Sequence, residues 1–197
     1  MLKEWGKVLS KEGFLHNPTH SDTFNAVDRR DFLPEDLKKY SDADEPIPIL
    51  YNQTQSAPHM NAIFVNYGEP DENDDVLEIG TGSGYLTVIL SFLSKRVVSV
   101  EYLREMLAWS SKNIAKYERK NIDLVSGNIN NLCFKRKFDL IISSASFRNE
   151  PTFLNRLLKP EGTMVYPLGK FPPQKLIGIK GGKRQELGWV AFVNISD

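Results

Sequence analysis

The chain has 197 residues, enough for a single domain with a full core. Its 25 basic and 25 acidic residues cancel, which argues against a nucleic-acid or anionic-membrane partner and for a protein or small-molecule one. Cys133 is the only cysteine, so no intrachain disulfide forms.

The N-terminal "MLKEWGKVLSKEGFL" carries charges throughout and lacks the apolar block of a signal peptide. No apolar run approaches the roughly 20 residues needed to cross a bilayer, so a soluble cytoplasmic protein is expected. Residues 1–45 are charged and irregular. The pattern predicts a helix over 2–12 and a short one near Glu35–Tyr40, after Pro34. Two prolines in "DEPIPIL" favour an extended segment. A helix is expected from about Ala57 to Tyr67, and "GEPDENDD" is an acidic, turn-rich break.

Before that helix stands "NQTQSAPHM", residues 52–60, with more uncharged hydrogen-bonding groups than a helix cap needs. From its local sequence, Ser56 or Thr54 is either an N-cap ahead of Pro58 or a functional hydroxyl.

From Asp75 onward strands and helices alternate. "DVLEIG" precedes a helix over about Tyr85–Ser94, and "RVVSVE" precedes an amphipathic helix across "LREMLAWSSKNIAKYERK". "IDLVSG" and "FDLIISSA" read as the third and fourth strands. A helix near "PTFLNRLL" ends at "KPEG", "TMVYPLG" is the fifth strand, and the tail is a hairpin turned at Gly181-Gly182. This predicts one α/β domain: a three-layer, doubly wound, mainly parallel sheet with a C-terminal antiparallel hairpin and an N-terminal helical extension.

"VLEIGTGSGYLTVIL" places Gly80, Gly82 and Gly84 between a strand and a helix, where close backbone approach and free N–H groups suit a ligand. The dinucleotide fingerprint is G-x-G-x-x-G, but here the third glycine comes one residue early. The loop resembles motif I of the S-adenosylmethionine (SAM)-dependent methyltransferases. That resemblance implies SAM beside Gly80, Thr81 and Gly82. Glu78 would then accept from the ligand ammonium and Glu101, ending the next strand, would take the ribose hydroxyls. Asn128 and Ile129 would meet the adenine; Asn128 stands where an aspartate is usual, but its carbonyl can accept the same bond. The plainer alternatives are a tight turn without ligand and a nicotinamide site.

A more specific resemblance lies upstream. "PIPILYNQTQSAPHM" is similar to the "P-x-x-x-G-Q-T-I-S-x-P-H" region of the protein-L-isoaspartate O-methyltransferases. "FNAVDRRDFLPEDLKKYSDADEPIPI" and "KFDLIISSASFRNEPTFLNRLLKPEGTMVYPLG" also resemble that family, so the likeness runs from about Phe24 to Gly169. It implies SAM-dependent methyl esterification of the α-carboxylate of L-isoaspartyl residues in damaged proteins, followed by collapse to a succinimide. It places residues 1–56 on the substrate side of a core formed by 57–197. It assigns catalysis to Ser56, with Thr54, Gln55 and Ser56 itself beside SAM, and no metal. A carboxylate acceptor is ionised at neutral pH and needs no base, so His59 is read as packing or bonding on the cofactor side. Asp42 and Asp44 are read as solvent-facing, and Trp5, Trp109 and Trp189 as packing residues.

The chain departs from the family at Asp28, Asn52, Gln55 and Glu161, and the family's C-terminal "F-V-P-L" appears as "FVNISD". These departures leave two alternatives: a SAM-binding relative without isoaspartyl activity, or a methyltransferase with another acceptor. Oligomeric state is left open.

Overall fold

The structure, a computed structural model, describes residues 3–195. The N-terminal part contains α1 (Trp5–Lys11) and α2 (Pro18–Ala26), then 3-10 turns at Arg29–Phe32 and Glu35–Tyr40. The strands β1 (Ile47–Pro48) and β2 (Thr54–Gln55) pair antiparallel around a 3-10 turn at Leu50–Asn52. The core follows: α3 (Pro58–Gly68), β3 (Asp75–Ile79), α4 (Tyr85–Leu93), β4 (Arg96–Glu101), α5 (Arg104–Ala115), β5 (Ile122–Ser126) and β6 (Phe138–Ser143). It ends with β7 (Leu158–Leu168), β8 (Gln174–Lys180) and β9 (Lys183–Val190).

The seven strands lie in the order β5-β4-β3-β6-β7-β8-β9, with β5 to β7 parallel and β8 and β9 antiparallel. Residue alternation assigns each strand two faces. Val76, Val97, Leu140 and Val165 pack with α1 to α4 and Ile114 of α5. Leu77, Val98, Ile141 and Met164 form the opposite cluster with Ile129, Leu154 and Leu157. That second layer is built from loops and one-turn elements, at Ile129–Asn131 and Thr152–Arg156, where a full helix near 151–158 is expected. Likewise "KPEG" is not a helix end followed by a new strand. Residues 159–162 bulge out of β7, whose pairing with β6 jumps from Leu158 to Thr163.

The unpredicted helix α2 has an N-cap at Asn17, whose side chain accepts from the Thr19 N–H at 2.9 Å, and it packs on α1 and α4. A small apolar cluster of Leu33, Ile47, Ile49 and Met106 joins the N-terminal extension to α5. The predicted helix over 2–12 is observed as α1; position 2 lies outside the described residues. No described helix is long and apolar enough to cross a membrane.

Candidate active site

The chain proceeds from β3 outward to β5, then returns to place β6 on the other side of β3. At such a reversal the loops leaving the strands' carboxyl ends diverge and leave a crevice. Here it is a cleft open to solvent. Gly80 and Gly82 line it after β3, Glu101 with Tyr102 and Leu103 at the end of β4, Asn128 and Ile129 after β5, and Ser144 and Ala145 after β6.

The glycine loop is shaped by backbone geometry. Gly80 has φ +94° and Gly84 φ +90°, which side chains with a Cβ rarely adopt. A Cβ at Gly84 would also lie 2.7 Å from Ile114 Cγ1, so this glycine lets α4 start against α5. The Gly82 N–H donates to Glu101 Oε2 at 2.9 Å, and the Leu103 N–H donates to Glu101 Oε1 at 3.0 Å. Each oxygen keeps accepting capacity, and Glu101 borders the cleft. Thr81 is buried and shares a hydrogen bond with Ser99 Oγ at 2.7 Å, so its side chain braces the loop from behind.

Glu78 lies beneath the loop, fully buried, outside the cleft lining. Its Oε2 accepts from Thr87 Oγ1 and Ser99 Oγ, both at 2.5 Å, while Oε1 has no partner among the described residues. Burial pushes its pKa up to about 7 against the pull of those two hydroxyls. Asn128 caps the following turn, its Oδ1 accepting from the Asn130 N–H at 3.0 Å.

Two outer walls come from distant parts of the chain. Gln53 and Thr54 form one; Val193, Asn194 and Ile195, within the divergent "FVNISD" end, form the other. Ser146 holds that tail. Its N–H donates to the Val193 carbonyl at 2.7 Å, and its carbonyl accepts from Ile195 N–H at 2.9 Å. Asn194 Nδ2 donates to the Lys170 carbonyl at 2.8 Å, and its buried Oδ1 has no partner among the described residues.

The "NQTQSAPHM" segment divides into three kinds of position. Asn52 has φ +56°, following Tyr51 at φ +57°; asparagine tolerates this left-handed conformation better than most non-glycine residues. Gln53 and Thr54 line the cleft, but Gln55 does not. Its buried side chain accepts from Arg29 Nε at 3.0 Å and donates to Ser83 Oγ at 3.1 Å, so it stands behind the wall. Ser56 is half-buried just past the lining, and its carbonyl accepts from Arg29 Nη2 at 3.3 Å.

Neither Ser56 nor Thr54 caps α3. The N-cap residue is Ala57, and the cap comes from Asp44, whose Oδ1 accepts from the His59 N–H at 3.0 Å. That carboxylate also meets His59 Nδ1 at 3.0 Å, and the imidazole packs on Phe14. Asp44 is therefore engaged rather than simply solvent-facing. His59 packs away from the cleft lining. Trp5 is buried as expected, but Trp189 is 66% exposed on the edge strand, with Lys175 Nζ over its ring.

Among the described residues no lysine or arginine lines the cleft, which suits hydroxyl, amide and ammonium groups better than a pyrophosphate. Glu101 oriented by the loop, together with the unpartnered acceptor of Asn194 in the lining, fits a nucleoside bearing a cationic amino acid. The fold and cleft are those of a Rossmann-like, SAM-dependent methyltransferase.

The protein-L-isoaspartate(D-aspartate) O-methyltransferase family profile matches residues 3–195, and the chain belongs to that family. A protein-L-isoaspartate O-methyltransferase of Pyrococcus abyssi is 32% identical over 195 residues, covering 95% of this chain and 90% of the relative. One from Fervidobacterium nodosum is 36% identical over 180 residues, covering 87% and 90%. A Plasmodium falciparum chain assigned to the same enzymes, solved with S-adenosyl-L-homocysteine, superposes with a TM-score of 0.86 at 25% identity, covering 98% and 96%.

Proposed function

We propose that this protein methylates the α-carboxylate of L-isoaspartyl residues in proteins and peptides, the ester then closing to a succinimide. The observation that carries this reading is the shared cleft: Gln53 and Thr54, from the family's distinctive segment, face the same space as the glycine loop and Glu101.

Gly80 and Gly82 let the ligand approach the backbone, Glu101 takes two hydroxyls, and Asn128 with Ile129 holds the base edge. Glu78 acts from beneath the loop as the counter-charge to the ligand's amino group. Bound SAM supplies an electrophilic methyl group on a sulfonium. The chain's own task is placement. The acceptor carboxylate is already ionised, with a reference pKa near ~4, so no side chain has to remove a proton. Orienting two reactants in line is worth roughly 7–11 kcal/mol in favourable cases.

Uncharged donors suit that task, because they hold a carboxylate without quenching its nucleophilicity by tight ion pairing. Thr54 and Ser56 are the hydroxyls assigned to it, with Ser56 catalytic. Among the described residues neither hydroxyl takes part in a side-chain hydrogen bond, which leaves both available. The tail at Val193–Ile195 forms the far wall against which a peptide would lie. The test is incubation with an isoaspartyl peptide and methyl-labelled SAM. Alkali-labile methanol above that from the matching aspartyl peptide supports the reading; equal release refutes it.

A further inference from the structure

The assigned machinery leaves out one conspicuous group. Arg29 is 1% exposed and is among the largest fully buried side chains of the described residues. All five of its N–H donors are directed at acceptors. Nε meets Gln55 Oε1 at 3.0 Å; Nη1 meets the carbonyls of Ser41 at 3.4 Å and Ala43 at 2.6 Å; Nη2 meets those of Glu45 at 2.8 Å and Ser56 at 3.3 Å. One side chain thus fastens the 41–45 loop and the Gln55–Ser56 segment to the turn at Arg29–Phe32.

Every acceptor is neutral. These groups solvate the cation without cancelling it, and a buried charge lacking a counter-charge is costly. Asp44 contributes favourably at a distance, but its Oδ1 is committed to His59. Burial lowers the Arg29 pKa only to about 10, so the guanidinium stays charged at neutral pH. Its Nη2 contact with the Ser56 carbonyl brings that charge next to the segment assigned to the acceptor. In a low-dielectric interior the field reaches beyond hydrogen-bond distance.

We propose that Arg29 is a positioning residue for the methyl acceptor: it fixes the backbone of Gln55 and Ser56, and its charge, which none of the groups in contact with it cancels, selects an anionic group at that segment. This rests on Thr54–Ser56 being the acceptor site. Gln55 makes the idea testable without removing the arginine. Gln55→Glu sets a carboxylate against Nε, whereas Gln55→Ile removes the amide without adding charge.

Steady-state kinetics on an isoaspartyl peptide, calorimetry with S-adenosylhomocysteine and melting curves would be run on the native chain, Gln55→Glu, Gln55→Ile, Arg29→Lys and Arg29→Gln. Gln55→Glu is expected to raise the peptide KM about tenfold over Gln55→Ile, with S-adenosylhomocysteine affinity within about twofold. Arg29→Lys keeps the charge but has too few donors, so kcat should fall while KM is largely retained. Arg29→Gln should lose both. Equal peptide KM for the two Gln55 variants, or S-adenosylhomocysteine affinity falling in step with KM, overturns the proposal. If Arg29→Gln fails to fold, the Gln55 pair decides. Absence of peptide methylation by the native chain would refute the isoaspartyl reading itself, a different outcome from an active native chain with indifferent variants.

Discussion

The Gly82 N–H donates to Glu101 Oε2 at 2.9 Å, joining the loop after β3 to the end of β4. The carboxylate is therefore oriented by backbone before any ligand arrives. Glu101→Gln should weaken S-adenosylhomocysteine binding about 10–100-fold, since a charge-assisted acceptor to two hydroxyls becomes a neutral amide. Calorimetry checks this. Unchanged affinity would remove Glu101 from the ligand contacts.

Asn52 holds φ +56° immediately before the cleft-lining Gln53 and Thr54. Asn52→Gly should be neutral or stabilising by up to about 1 kcal/mol, whereas Asn52→Val should cost about 1–3 kcal/mol and reduce peptide kcat/KM. Denaturant melts and kinetics on the same samples separate the two effects. A harmless valine would show that the turn does not need its left-handed residue.

Asp44 caps α3 from 15 residues upstream through the His59 N–H. Asp44→Ala should lower stability by about 1–2 kcal/mol, the usual range for a lost cap. Hydrogen exchange should locate the loss at the first turn of α3 and the 41–45 loop. Exchange rising evenly across the molecule would contradict a local cap.

Glu78 gives stability a pH dependence of defined sign. Its folded pKa of about 7 lies above the ordinary 4.5. Below the lower value folded and unfolded chains both hold the proton; between the two values only the folded chain does. Stability should fall as pH rises through this window, by about 3 kcal/mol in all. Glu78→Gln cannot lose the proton, so its melting temperature should vary less from pH 5 to 8. Parallel profiles for the two proteins would show that Glu78 titrates normally.

The sheet could be read from the sequence because buried strands such as "DVLEI" and "RVVSVE" carry their own signal, and the glycine loop announces its turn. The helix α2 could not: "PTHSDTFNA" is mostly polar, and its burial of His20, Thr23 and Phe24 comes from packing on α1 and α4. The predicted helix near 151–158 shrinks to one 3-10 turn because the long β7 takes over from Leu158.

At the site, Glu101 and the loop stand where local spacing predicts. The resemblance sets Gln55 beside the ligand, but its buried amide is committed to Arg29 and Ser83, 26 and 28 residues away in sequence. No local pattern encodes that network. The wall at Val193–Ile195 depends on Ser146, which is more remote still in sequence.

The central claim is that uncharged groups beside the cleft place an ionised carboxylate for methyl transfer. It is tested most directly by comparing native protein and Ser56→Ala with an isoaspartyl peptide, methyl-labelled SAM and an aspartyl control. The native chain should release isoaspartyl-dependent, alkali-labile methanol. Turnover should be about 10–100-fold lower for the variant, with S-adenosylhomocysteine affinity nearly unchanged. No release above the aspartyl control, or equal turnover by both proteins, would contradict it.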